Sequence, residues 1–98
     1  MSKAHEFVIF NFKAGIELAT QKELMAKIDD CATKLDGFLK RNYYYSEDSK
    51  KWIDHVIWET HQHAKNASEA IMQDPTALEI FQQIDDSNMM MSHFNQEN

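Results

Sequence analysis

The segment at residues 6–13, EFVIFNFK, constrains the fold more than any other part of the chain. It is rich in phenylalanine, valine and isoleucine, and Gly15 punctuates its end, so it reads as a β-strand. Side chains on a strand alternate between faces, which puts Phe7, Ile9 and Asn11 on one side and Val8, Phe10 and Phe12 on the other. A strand apolar on both sides must be covered on both sides. A domain of 98 residues buries only roughly two-thirds of its unfolded surface. One cover can come from its own helices, and the other is expected from a second subunit.

The remaining elements follow from periodicity and punctuation. From 17 to 35 the apolar positions Leu18, Leu24, Met25, Ile28, Cys31, Ala32 and Leu35 recur at helical spacing, and Asp36 and Gly37 stop the helix. Residues 38–46, FLKRNYYYS, read as a strand, 47–51 as a polar turn and 52–60 as the returning strand of a hairpin. Alanines at 64, 67 and 70 with Ile71 mark a helix over 64–73. Asp74 and Pro75 restart it, aspartate as cap and proline at the first position, with Leu78, Ile80, Phe81 and Ile84 as its apolar face. A turn at 85–88 leads to a last strand at 89–94.

The order βαββαβ predicts one α+β domain over 1–98 with a ferredoxin-like fold: a four-stranded antiparallel sheet carrying its helices on one face. The other face is then bare, and Val8, Phe10, Phe12, Ile53, Ile57, Met90 and Phe94 are expected on it. A homodimer packed sheet to sheet would cover them.

Charge narrows the partners. Ten basic against sixteen acidic residues give a net charge of −6, with no basic block to neutralise phosphates, which argues against nucleic acid. The apolar run near the N-terminus is too short to span a membrane and no cleavable leader pattern precedes it, so the expected setting is the cytoplasm, away from membranes. Cys31 sits in a helical pattern as a small buried hydrophobe, and the six methionines suit a flexible core or interface better than a cofactor box.

Residues 52–63, WIDHVIWETHQH, invite a metal reading through His55, Glu59, His61 and His63. Alternate strand residues stand about 7 Å apart at the α-carbon, Ile57 separates His55 from Glu59, and His61 and His63 fall in a polar connection. Adventitious metal pick-up is the better reading, and no functional metal site is expected.

Three stretches carry a family resemblance: DGFLKRNYYY entering the hairpin, WIDHVIWET followed by HAKNASEAI, and IFQQID with MMMSHF at the end. They make the chain resemble, over nearly its whole length, the antibiotic biosynthesis monooxygenase-like proteins, a group of dimeric α/β barrels. The resemblance implies that fold and a dimer. Activities in the group range from cofactor-independent oxidation of aromatic polyketides and quinone oxygenation to haem degradation, and many members have no known substrate. The haem-degrading pattern needs an asparagine on the first strand, which Asn11 matches, then a tryptophan and a histidine on the second helix. Those positions fall near Ala67 and Ala77, and no histidine occurs between His63 and His93, so neither haem nor any other cofactor is expected.

If Asn11 points toward the helices, as in the enzymes the chain resembles, Phe7 and Ile9 do too. Asp54 and Trp58 on the third strand and Met91 and His93 on the fourth are candidates for the same face. Asp54, Asn11 and His93 then form a polar catalytic row: His93, held by Asp54, takes a proton from a phenol and Asn11 stabilises the oxyanion. Trp58, Phe7, Ile9, Met91 and Tyr44 are the expected substrate contacts, although adjacent strand tyrosines also serve as cover at an edge or interface. The activity expected is cofactor-independent monooxygenation of a small aromatic or quinone-like compound. Asp54 and His93 could instead simply satisfy each other or water within the core, and the alternatives for the whole are a non-enzymatic small-molecule binding or interaction domain on the same scaffold and a purely structural dimer with no pocket of its own. An open cavity between helices and sheet favours the first two, and a filled core the last.

Overall fold

The structure is a computed structural model that describes residues 2–98. Along the chain lie β1 (Ala4–Phe12), α1 (Leu18–Ala32), β2 (Phe38–Ser46), β3 (Lys51–Trp58), α2 (His61–Ile71), α3 (Pro75–Phe81) and β4 (Ile84–Phe94). The strands form one antiparallel sheet in the order β2-β3-β1-β4. Helical side chains pack on the face that carries Trp52, Val56 and Trp58 of β3, giving the expected ferredoxin-like α+β arrangement.

β1 takes the phase opposite to the one expected. Phe10 and Phe12 are buried under the helices, at 2% and 7% exposure, with Val8 packed beside them. Phe7, Ile9 and Asn11 share the outer face. Register explains the reversal: Glu6, Val8 and Phe10 stand opposite Val56, Asp54 and Trp52, and directly paired residues share a face. Two phenylalanines and a valine bury more apolar area than Phe7, Ile9 and an asparagine, so burial selects this phase. Asn11 instead donates through Nδ2 to the Lys50 carbonyl at 2.8 Å and ties down the hairpin turn. Ile53, Met90 and Phe94 lie on the open face as expected, together with Phe7 and Ile9.

Two boundaries move for local reasons. α2 begins at His61, because the Thr60 hydroxyl caps it by accepting from the His63 N–H at 3.0 Å. His61 and His63 therefore belong to a first helical turn rather than to a strand or connection. The turn expected at 85–88 is a bulge inside β4: Met90 stands opposite Ile9 but Asp85 opposite Asn11. There the Asp85 carboxylate accepts from both the backbone N–H and the hydroxyl of Ser87. The Asp74 cap and Pro75 start of α3 are as expected. Gly37 is required twice over, since its φ is 84° and a β-carbon there would come within 2.4 Å of the His63 side chain.

The core is divided. One cluster gathers Phe10, Phe12, Met25, Ile28 and Trp52 with Ile80 and Ile84, and the other gathers Ala4, Val56, Trp58, Ala64 and Ala67. Arg41 of β2 reaches in beside them, its side chain 2% exposed. Its Nε and Nη2 donate to the two carboxylate oxygens of Asp54 at 2.9 and 3.0 Å, while Nη1 donates to the Met25 carbonyl at 2.9 Å and to Asp29 Oδ1 at 2.6 Å. The guanidinium also stacks over Tyr43, 4.4 Å from its ring centre. One side chain thus fastens β2 to β3 and to α1. Removing it leaves the Asp54 carboxylate buried without a counter-charge. Arg41→Met should lower unfolding free energy by about 3–5 kcal/mol in urea titration, and Arg41→Met combined with Asp54→Leu should recover most of the loss. A single variant as stable as the parent would contradict this role.

Candidate active site

The gap between the two core clusters is a cavity of 560 Å³, enclosed by the sheet on one side and the helices on the other. Its size falls within the range of about 300–1,000 Å³ usual for small-molecule sites. Ala32 of α1 and Ala67 of α2 line it where longer side chains would fill the space. One small residue on each of two helices therefore keeps the cavity open. Trp58, Val56 and Phe10 form its buried wall, while Met72, Met89 and Met91 are half exposed around the opening. Asp86 and Met89 lie three positions apart, which on a regular strand would face them to opposite sides, and the β4 bulge lets both line the cavity.

Glu6 of β1 projects into this apolar space. Its partner is His93 of β4, directly across in the register, with Nε2 3.1 Å from Oε1. The Glu6 side chain is 14% exposed and that of His93 29%, so the imidazole connects the carboxylate to solvent. Burial pushes the Glu6 carboxyl above its ordinary 4.5, countered in part by the His93 hydrogen bond and charge and reinforced by the charge of Asp54. The Trp58 indole N–H is turned toward the same carboxylate without reaching hydrogen-bond geometry, and among the described residues it has no other partner. Trp52, by contrast, donates its indole N–H to Gln21 at 3.0 Å. A buried donor without an acceptor is uncommon in folded proteins and is a point where a ligand oxygen can bind.

Asp54 also lines the cavity, but as half of the ion pair with Arg41. Burial pushes its carboxyl upward and the Arg41 hydrogen bonds and charge pull it back. On the arginine, burial is outweighed by the hydrogen bonds and charges of Asp54 and Asp29, which hold the guanidinium protonated. Because guanidinium does not lose its proton in proteins, the bidentate contact keeps Asp54 a carboxylate at neutral pH.

The expected site residues divide accordingly. Asp54, Trp58 and Met91 line the cavity, and His93 joins it through Glu6. Asp54 and His93 are not partners, because β1 lies between their strands: Val8 separates Asp54 from Met91, and Glu6 separates Val56 from His93. Asn11, Phe7 and Ile9 lie on the outer face by the phase of β1, and Tyr44 is 58% exposed there. The expected row of Asp54, Asn11 and His93 does not form. Glu6 is the polar residue that β1 brings to the cavity instead of Asn11, and the signal for it is that it is the lone charge among Ala4, Val8, Phe10 and Phe12 on one strand face.

The histidines that suggested metal are dispersed. His55 is on the outer face, hydrogen-bonded to His5 at 2.9 Å and stacked on Phe7. Burial, then the neighbouring His5, hold it below its ordinary 6.5. His63 shares a hydrogen bond with Thr60, and His61 one with Asn95. Among the described residues, no three histidine, cysteine, aspartate or glutamate side chains converge to hold a metal ion. No helix among them is long and apolar enough to cross a membrane.

No protein-family model matches the chain, and no curated protein matches it. Solved structures do. A candidate antibiotic biosynthesis monooxygenase from Bordetella bronchiseptica superposes with a TM-score of 0.82 at 12% identity, covering 100% of both chains. A variant of SnoaB, a cofactor-independent oxygenase from Streptomyces nogalater, gives 0.80 at 12% identity over 100% of this chain and 96% of its own. A monooxygenase from Streptomyces coelicolor, solved with nanaomycin D, gives 0.69 at 18% identity over 99% of this chain and 89% of its own. The chain shares the fold of these oxygenases along essentially its whole length.

Proposed function

We propose that the protein is a cofactor-independent monooxygenase that oxidises a small aromatic or quinone-like compound inside the cavity between helices and sheet. The observation that carries this reading is Glu6, paired with His93 and set in a largely apolar cavity beside an unpartnered indole N–H. A carboxylate raised by burial is a stronger base than one in water and is suited to take a phenolic proton. His93, reaching solvent, carries the proton away. The Trp58 N–H then donates to the oxygen that becomes negative. The phenolate ring carbon bonds dioxygen with one electron pair to give a ring hydroperoxide; loss of the proton on that carbon then supplies the second pair, breaks the O–O bond and releases the outer oxygen as water, so four electrons in all leave the ring and a quinone forms. The solved structures of matching fold include oxygenases that work without a cofactor, which supports the reading.

Oxygen uptake with a panel of hydroquinones and anthrones tests it. Glu6→Gln and His93→Ala should each lower the rate about a hundredfold or more, the range of general-base contributions. The rate of the parent should rise with pH as Glu6 loses its proton above 4.5, and Glu6→Gln should remove that rise. Ligand binding with no oxygen uptake would overturn the oxygenase reading and leave a binding protein.

We also propose that a second copy covers the open sheet face. Phe7, Ile9, Ile53, Met90 and Phe94 line an apolar depression there, and the nearby His5–His55 pair shares a hydrogen bond. In a chain of net charge −6, a face this poor in charge is where two copies can meet with least repulsion. Light scattering after size exclusion should give a dimer for the parent and a monomer for Ile53→Lys, and a monomeric parent at micromolar concentration would contradict the proposal.

A further inference from the structure

Every charged residue on the wall of the cavity is acidic. Glu6, Asp54 and Asp86 line it, and among the described residues no lysine or arginine does. The nearest guanidinium, Arg41, is spent: all of its nitrogens already donate, to Asp54, Asp29 and the Met25 carbonyl, and its side chain is 2% exposed. With two carboxylates on one cation, that cluster is itself net negative. An incoming carboxylate or phosphate would find no counter-charge: it would pass Asp86, exposed at the opening, and stand near Glu6 and Asp54 on the drier inner wall, where like charges repel more than in solvent.

A different ligand is favoured. Trp58, Phe10 and Phe81 present aromatic surface to the cavity and Met72, Met89 and Met91 present polarisable sulfur near its opening. Aromatic faces attract cations as well as rings. The buried Trp58 indole N–H, 3% exposed as a residue and without an acceptor, calls for a ligand oxygen at the inner wall. From these observations we infer that the cavity selects uncharged or cationic ring compounds, turns away carboxylated and phosphorylated ones, and prefers a protonated amine as the polar substituent. Glu6 and Asp86 are the specificity-determining charges. The inference rests on the reading of the cavity as a ligand site and adds the charge class of what enters.

A matched series on one ring system tests it: naphthylmethylamine, naphthylmethanol and naphthylacetic acid, titrated by tryptophan fluorescence at physiological ionic strength. The amine should bind more tightly than the alcohol, and the acid at least about tenfold more weakly than the alcohol, as expected for a unit charge close to carboxylates in a partly dry site. Asp86→Asn should narrow the gap between amine and acid, whereas Asp48→Asn, in the exposed hairpin turn, should leave it unchanged. An acid that binds as tightly as the alcohol overturns the inference while leaving the cavity as a ligand site. So does equal narrowing by both variants, which would mark a general attraction to an acidic protein. Failure of all three compounds to bind removes the ligand site itself, and the proposed activity with it.

Discussion

One buried guanidinium organises the molecule. Arg41 extends from the edge strand β2 under α1 and holds Asp54, Asp29 and a helix carbonyl at once. Burying a charge is costly unless every hydrogen-bonding position is filled, and here the carboxylate of Asp54 meets it in a two-pronged contact. A hydrophobic substitute of similar volume could be as stable. The ion pair does something a hydrophobic contact does not: it fixes the register of β2 and β3 against α1 and places Asp54 at the wall of a cavity without leaving it free to act as a base.

In the proposed reaction the base is therefore the next polar pair along the same sheet face. Because β1 runs between β3 and β4, Glu6 can face His93 across a single strand spacing while Asp54 cannot. The apolar core, split by Ala32 and Ala67, surrounds that pair with a low-dielectric space. Desolvation then raises the carboxyl of Glu6, and the partial exposure of His93 gives the proton a route out. The fold and the placement of the proposed base and proton exit follow from the same antiparallel register.

Much of this was legible in the chain. The order of elements, the buried phase of Trp52, Asp54, Val56 and Trp58, and the Asp74–Pro75 helix start follow from alternation and capping, which are local rules. The phase of β1 was not, because both of its faces are apolar and only pairing with β3 decides between them. That single ambiguity moved Asn11, Phe7 and Ile9 to the outer face and hid Glu6. Thr60 and His63 form their cap through a contact that the histidine-rich composition obscured. The β4 bulge looked like a turn, since Asp85, Ser87 and Asn88 are turn residues in either setting. Arg41 reaches across elements, and no spacing along the chain announces such a contact.

The two tryptophans provide the most direct measurement. Trp52 already donates its indole N–H to Gln21, whereas that of Trp58 is buried beside Glu6 with no acceptor. In nitrogen-15 spectra of the protein titrated with a phenolic ring compound, the Trp58 indole resonance should move as its N–H gains an acceptor, and the Trp52 resonance should stay in place. A ligand that shifts Trp52 alone, or resonances of the outer sheet face while Trp58 is unmoved, would contradict the proposed place of the ligand site.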